Sequence, residues 1–465
     1  MLKPGIFAVE KRPERATPPA AVPPSMQFEK EDGLSPFRLL SGWGALMSAA
    51  LLLALLPAGR VAAQPIFEGE RTPKEPPQFH FTPSLSVAEL YNDNILLRSF
   101  LRESDLITRV RPGLIVSVDQ ARVKWLTDLN AEAEFYRKHT DLSTFNRSQT
   151  LDTHLTIRPD PRWTFDMGET FVHSNDPVAR LTVGTFETPL PGGGGLPSGG
   201  TPPAGGGTSP PVNTVGELVL QRTEYYTNLL SLKGAYRLTQ RLTGEVEGIN
   251  RIINFKDPRF IDSSSNEVRG ALPFILTPVD VVTPEYRYRN FLFEHRAYTE
   301  VHTASLRMQH RFTSTLTGRA AGGLILIVDR GTVLPDFLAE LGVEQTYSET
   351  ITFRADYTRD VSVVGGLFGT FASNIFSGSM TAHASKTFDT IVAGSWALQQ
   401  GLVANRNDLD TLRLYLEEQV KLTNWLKVFL SYEFMNQNYH SDTPDIYNNR
   451  IFLGVTVSDT YPSRP

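Results

Sequence analysis

A two-residue alternation of polar and apolar side chains constrains this chain more than any other feature. In Arg122–Phe135 the odd positions are Val123, Trp125, Thr127, Leu129, Ala131, Ala133 and Phe135. The even positions are Arg122, Lys124, Leu126, Asp128, Asn130, Glu132 and Glu134. Successive side chains of a strand point to opposite faces, so this segment has one apolar and one charged face; a helix would scatter the charges around its circumference. Leu151, Leu155 and Ile157 alternate in the same way with Asp152, His154 and Arg158. So do Leu412, Leu414 and Leu416 with Arg413, Tyr415 and Glu417, and Leu426–Phe434 with Lys427, Ser431 and Glu433.

Alternation alone also suits a soluble sandwich. The segments run for ten or more residues, however, and soluble strands average about five or six. The connections alternate as well. Tight turns are predicted near Gln120, Asp160, Gln240, Ser314, Glu349, Asp389 and Asn424, and longer polar stretches fall at Arg98–Asp105, Arg137–Arg147, Ser174–Gly216, Lys256–Arg296 and Asn436–Asn448. Short turns on one side and long loops on the other characterise outer-membrane barrels. The turns resemble one another, as in Arg237-Leu-Thr-Gln-Arg-Leu-Thr243 and Arg311-Phe-Thr-Ser-Thr-Leu-Thr317. Seven turns join fourteen strands. One strand before them (Phe79–Tyr91) and one after (Asn449–Ser458) make about sixteen, with fourteen to eighteen as the range. The expected fold is an all-β, transmembrane, antiparallel up-and-down β-barrel over residues 79–458, with a flexible outer loop at 174–216 and a long loop at 256–296. The Gly- and Pro-rich Pro191–Pro211 lies in the first of these; the rival reading makes it a linker between two domains.

A mean hydropathy of −0.20 fits a chain that hides its apolar content in every second residue. The exception is Gly44–Pro57, an apolar core too short to span a bilayer comfortably, with Arg38 before it and Val61-Ala62-Ala63 after it. A signal peptide within residues 1–63, cleaved after Ala63, is expected; an uncut anchor is the alternative, and Met26 is an alternative start. Residues 64–78, with Pro65, Pro73, Pro76 and Pro77, read as a periplasmic linker, and 459–465 as a C-terminal tail.

The formal net charge of −5 argues against a nucleic-acid partner, and the absence of cysteine excludes disulfides, Cys-based zinc sites and thiol catalysis. There is no Gly-x-Ser-x-Gly elbow and no His-Glu-x-x-His, and His80, His139, His154, His173 and His310 share no ligand spacing. No catalytic residue, metal or cofactor is expected. If the apolar face meets lipid, Arg122, Lys124, Asp128, Glu132 and Glu134 line the lumen. Trp163, Trp396 and Trp425 are expected near strand ends, in an interfacial girdle. Tyr91, Asn92, Asp93 and Asn94 are candidates for a rim site, against the plainer reading of a turn that reverses the first hairpin.

The stretch Ser84–Leu97, containing Tyr91-Asn-Asp-Asn-Ile95, followed by Ser104-Asp105 and Pro112-Gly-Leu114, resembles the opening of an outer-membrane β-barrel porin family associated with exopolysaccharide and capsule loci. Asn92 stands where that family usually has Asp. The resemblance implies a barrel tied to surface polysaccharide, with no catalytic residues. The expected localisation is the outer membrane of a Gram-negative bacterium. The expected partners are its lipid, the barrel-assembly and periplasmic chaperone machinery, and polysaccharide. The leading functional reading is a passive pore or export-associated barrel; the alternatives are a non-conducting surface barrel that binds through its long loops, and an outer-membrane enzyme.

Overall fold

The structure is a computed structural model that describes residues 78–175, 223–294, 298–329, 331–347, 350–363, 369–402, 408–439 and 445–459. The expected signal peptide, the linker up to residue 77, most of the 174–216 loop and the tail beyond Asp459 lie outside these residues.

Nineteen strands form one sheet. They are β1 (Gln78–Asn92), β2 (Asp105–Asp119), β3 (Val123–Tyr136), β4 (Thr144–Ile157), β5 (Trp163–Ser174), β6 (Tyr225–Arg237), β7 (Thr243–Phe255), β8 (Ser263–Ala271), β9 (Phe274–Ile275) and β10 (Asp280–Phe293). The second half holds β11 (Tyr298–Arg311), β12 (Leu316–Asp329), β13 (Thr332–Tyr347), β14 (Ile351–Val363), β15 (Thr370–His383), β16 (Phe388–Gly401), β17 (Leu409–Lys421), β18 (Leu426–Tyr439) and β19 (Ile446–Ser458). Each wall strand pairs antiparallel with its sequence neighbours, β8 pairs with β10, and β19 returns to β1. The result is a closed up-and-down barrel. Closure gives every strand a partner on each side, as a sheet in hydrocarbon requires.

Eighteen strands make the wall, and the two-residue β9 prolongs β8. The expected sixteen is therefore corrected, and the error lies in 256–296, which is not a long loop. It carries β8 and β10, joined by an eighth tight turn. Pro273, Pro278 and Pro284 hid them, because proline donates no ladder hydrogen bond and breaks a strand pattern. The chain nevertheless stays beside β7 across the break, with Thr243 N–H donating to Pro273 O (3.1 Å) and Ile275 N–H to Arg241 O (2.8 Å).

A common device closes the tight turns, in which one hydroxyl or carboxylate accepts backbone N–H groups two and three residues on. Thr239 Oγ1 accepts from Arg241 and Leu242, Thr313 Oγ1 from Thr315 and Leu316, and Thr423 Oγ1 from Trp425 and Leu426. Asp160 serves Arg162 and Trp163, and Thr277 serves Val279 and Asp280 in the turn that the sequence reading missed. The turn expected near Asp389 lies slightly earlier, between His383 and Phe388.

The strand registers fix the faces. On the outer face from the turn end come Phe79, Phe81, Leu85 and Val87 in β1, Trp163, Phe165 and Met167 in β5, and Leu416, Leu414 and Leu412 in β17. Toward the loop end this face turns polar, at Asn250 and Asn266 (hydrogen-bonded at 2.8 Å), at Asn290, and at Asn374 and Asn449. The inner face carries the charges. A charged side chain at the bilayer centre costs roughly 2.5–3.5 kcal/mol on insertion scales, which sets this phase.

Candidate functional site

Of the five lumen candidates, Asp128, Glu132 and Glu134 occupy inward positions of β3. Arg122 lies in the turn before it, and Lys124 stands at the turn-end rim, 3.5 Å from Asp119. Glu134 is 1 % exposed, and Arg109 (2.7 Å) and Arg147 (2.9 Å) grip its two oxygens. Glu132 sits 3.3 Å from Arg109, and Asp128 accepts from Asn130 Nδ2 at 2.6 Å. Asp128 lies directly opposite Asp152 of β4, and Asp166 of β5 accepts from Thr156 Oγ1 at 2.6 Å. The inner wall of β3–β5 is thus an acidic strip, its aspartates held by hydroxyl and amide donors.

A longer array lies on other strands, and the sequence reading did not single it out. Lys233 (β6) meets Glu245 (β7) at 3.0 Å, and Arg269 (β8) meets Glu245 at 3.7 Å, Glu247 at 3.3 Å and Glu285 (β10) at 3.8 Å. Arg307 (β11) then links Glu285 at 3.9 Å to Glu340 (β13) at 2.9 Å. It crosses β12 over Ala321, whose short side chain leaves the way open. The signal was available, because Glu285, Arg287 and Arg289 alternate with Tyr286 and Tyr288 inside the segment taken for a loop.

Two elements narrow the loop end. The first is the β1–β2 connection. Its Ile95 packs with inward-facing Leu90, Ile107, Tyr136 and Phe452, and its Leu97 with Met435 and Ile446. Three of the four rim candidates anchor it. Asn94 is 0 % exposed; its Nδ2 donates to Arg98 O and Tyr447 O, both at 2.8 Å, and its Oδ1 accepts from Arg98 N–H at 2.9 Å. Asn92 Oδ1 accepts from Asn448 Nδ2 at 2.7 Å, and Asp93 accepts from Asn449 N–H and Nδ2 at 2.7 and 2.6 Å. Tyr91, by contrast, points outward and is exposed. His139, in the β3–β4 loop, fastens the same connection, with Nδ1 3.1 Å from Asp105 and Nε2 2.7 Å from Glu103. The hydrogen bond to Asp105 is the chief cause of a His139 pKa raised above the ordinary value.

The second element is the end of β14. The β13–β14 ladder stops at Ala339↔Arg359, although β13 continues to Thr332 beside β12 and β14 continues to Val363 beside β15. Beyond that pair β14 leans inward and meets β10, four strands back along the wall. Arg289 donates to Val361 O and to Asp360, both at 2.6 Å, and Arg287 reaches Asp360 at 3.2 Å. Val361 completes a buried apolar cluster with Phe291, Phe293, Val301, Ile325, Ile327 and Leu338.

Of the three tryptophans, Trp163 lies at the turn end, stacked on Phe165 with centroids 5.4 Å apart, and Trp425 lies in the β17–β18 turn. Trp396 is the exception: it lies mid-strand in β16, stacked on Phe376 at 5.7 Å. A groove of about 810 Å³ opens on the outer wall, lined by Trp163, Gly234, Tyr236, Gly270, Pro284 and Tyr286. Among the described residues no cluster of His, Asp or Glu has metal-binding geometry.

A closed antiparallel barrel with an apolar outer belt and a charged interior defines a class, the β-barrel proteins of the bacterial outer membrane. No protein-family model matches the sequence, and no curated protein matches it. Among solved structures the chain is similar to Acinetobacter baumannii OccAB4, with 11 % identity, 84 % of this chain and 99 % of that one covered, and a TM-score of 0.41. It is similar to Pseudomonas aeruginosa OpdO at 10 % identity, covering 82 % and 97 %, with a TM-score of 0.42. The outer membrane protein OpdK of Pseudomonas aeruginosa gives 9 %, 83 % and 99 %, and 0.41. Likeness at this level transfers no substrate and no activity.

Proposed function

We propose that this protein is a passive, non-enzymatic channel for small polar solutes across the outer membrane. The observation that carries this reading is the ion-pair array from Lys233 to Glu340, which faces the lumen across six strands. A charged wall replaces part of the hydration that a polar solute would lose in lipid, and its two signs favour weak rather than strict ion selectivity. An eighteen-strand barrel has the diameter of an aqueous channel, and the inward-held β1–β2 connection and β14 end narrow its outer mouth. Planar-bilayer recording of the refolded protein tests this: discrete conductance steps with modest selectivity are expected, and a silent membrane overturns it.

A tie to surface polysaccharide rests on the resemblance of Ser84–Leu114 alone. Under that reading the channel serves an exopolysaccharide-producing envelope, and cells lacking the protein release less polymer; unchanged release removes the tie and leaves the channel.

A further inference from the structure

At the seam between β13 and β14 the ladder stops at Ala339↔Arg359 while both strands run on beside their other neighbours. On its lumen side lies the buried apolar cluster of Phe291, Phe293, Val301, Ile325, Ile327, Leu338 and Val361, a counterpart to the cluster that holds the β1–β2 connection. On its outer side the β12–β13 hairpin stays apolar as far as the Val328↔Val333 pair. Leu324 is 71 % exposed, and Leu326, Val333 and Phe337 are exposed beside it. At the matching levels the next strand back, β11, carries Glu300 and His302, paired with Val328 and Leu326. Apolar surface therefore flanks the seam inside and outside, at the height where the neighbouring β11 presents Glu300 and His302.

Beyond the ladder, the two strands are joined by the packing of Val361 on the cluster that holds Leu338 and by ionic side chains. Arg359 of β14 reaches Asp336 of β13 at 2.8 Å and lies 4.3 Å from the Phe337 ring centroid. Asp360 is held by Arg287 and Arg289. Ladder hydrogen bonds would have to break one after another, whereas a guanidinium exchanges one carboxylate for another without losing its paired geometry.

We propose that this seam is a lateral gate, seen here closed, through which a single-chain amphiphile with a carboxylate head passes between the lumen and the outer leaflet. The acyl chain takes the apolar route past Leu338 and Val361. The head replaces Asp336 on Arg359, or Asp360 on Arg289, as the chain moves through. This is a route for a different solute from the polar ones of the axial channel and does not depend on them.

The test uses the full chain in liposomes, with a fluorescent dodecanoate as probe and ion conductance measured on the same preparations. The native chain has no cysteine, so a pair can be introduced cleanly. Phe337→Cys with Val361→Cys places thiols where a continued register would set them opposite each other. Oxidation is expected to reduce dodecanoate transfer to the protein-free rate, reduction to restore it, and conductance to persist throughout. Equal transfer in the oxidised and reduced states overturns the gate, as does failure of the unmodified protein to move dodecanoate. If the double variant does not fold or does not cross-link, Asp336→Asn decides. Losing one carboxylate from the latch is expected to speed transfer while conductance is kept, and an unchanged rate overturns the proposal.

Discussion

The barrel has two unusual junctions, and they are secured by opposite means. Where β19 closes on β1, the ladder runs from Ser84↔Ser458 to Asn92↔Arg450, and short side chains continue the binding past its end. Asn92, Asp93 and Asn94 hydrogen-bond the start of β19 and the backbone of their own connection. Where β13 meets β14, the ladder stops at Ala339↔Arg359, and beyond it the polar contacts across are made by long ionic side chains. Short side chains, buried at Asn92 and Asn94, have little freedom to lose and little water to return to, so they lock. Long guanidinium groups near a wet lumen exchange partners, so they latch. One fold thus contains a permanent closure and a releasable one.

The largest effect is expected at the lock. Asn94→Ala removes the partner of the part-buried backbone groups of Arg98 and Tyr447, at about 1–3 kcal/mol in all. Denaturant unfolding in detergent, or the temperature at which the barrel loses its heat-modifiable gel mobility, should fall clearly; an unchanged midpoint would mean that the lock contributes nothing. At the latch, Arg359→Ala should cost less than Asn94→Ala, because lumen water can reach Asp336 once its partner is gone. A loss there that equals the loss at Asn94 would erase the comparison.

A smaller, pH-dependent effect sharpens it. His139 binds Asp105 and Glu103, and its folded pKa is raised. Its contribution is therefore fully present below the ordinary histidine value of about 6.5 and fades as pH climbs through the raised value. Protease cleavage within residues 95–104 should accelerate with rising pH, and His139→Asn should flatten that profile; a profile that survives the substitution excludes His139 as its cause. The least effect is expected from Arg122→Ala, in a turn outside both junctions, where the unfolding midpoint and the conductance should both stay within error.

Much of this architecture was legible. Period-two alternation gives each strand its two faces from local geometry, so the belt and the lumen face could be assigned from segments such as Arg122–Phe135. The turns were readable too, since Thr239, Thr313 and Thr423 do the same work in similar sequences. Two strands went unread because Pro273, Pro278 and Pro284 disturb the pattern that marks a strand, although Glu285, Arg287 and Arg289 preserved it. The rim candidates Asn92, Asp93 and Asn94 have as partners Tyr447, Asn448 and Asn449, which lie more than three hundred residues on, beyond any local motif.

For the strands it revealed, the sequence by itself determined which side meets lipid and roughly where the chain turns, because both follow from neighbours within a few residues. Only the tertiary structure decided that Arg307 reaches Glu340 over Ala321, that β14 leaves β13 to meet Arg289, and that the first connection is fastened to the last strand. Those contacts join strands distant in sequence, and registers accumulated around the closed wall set them.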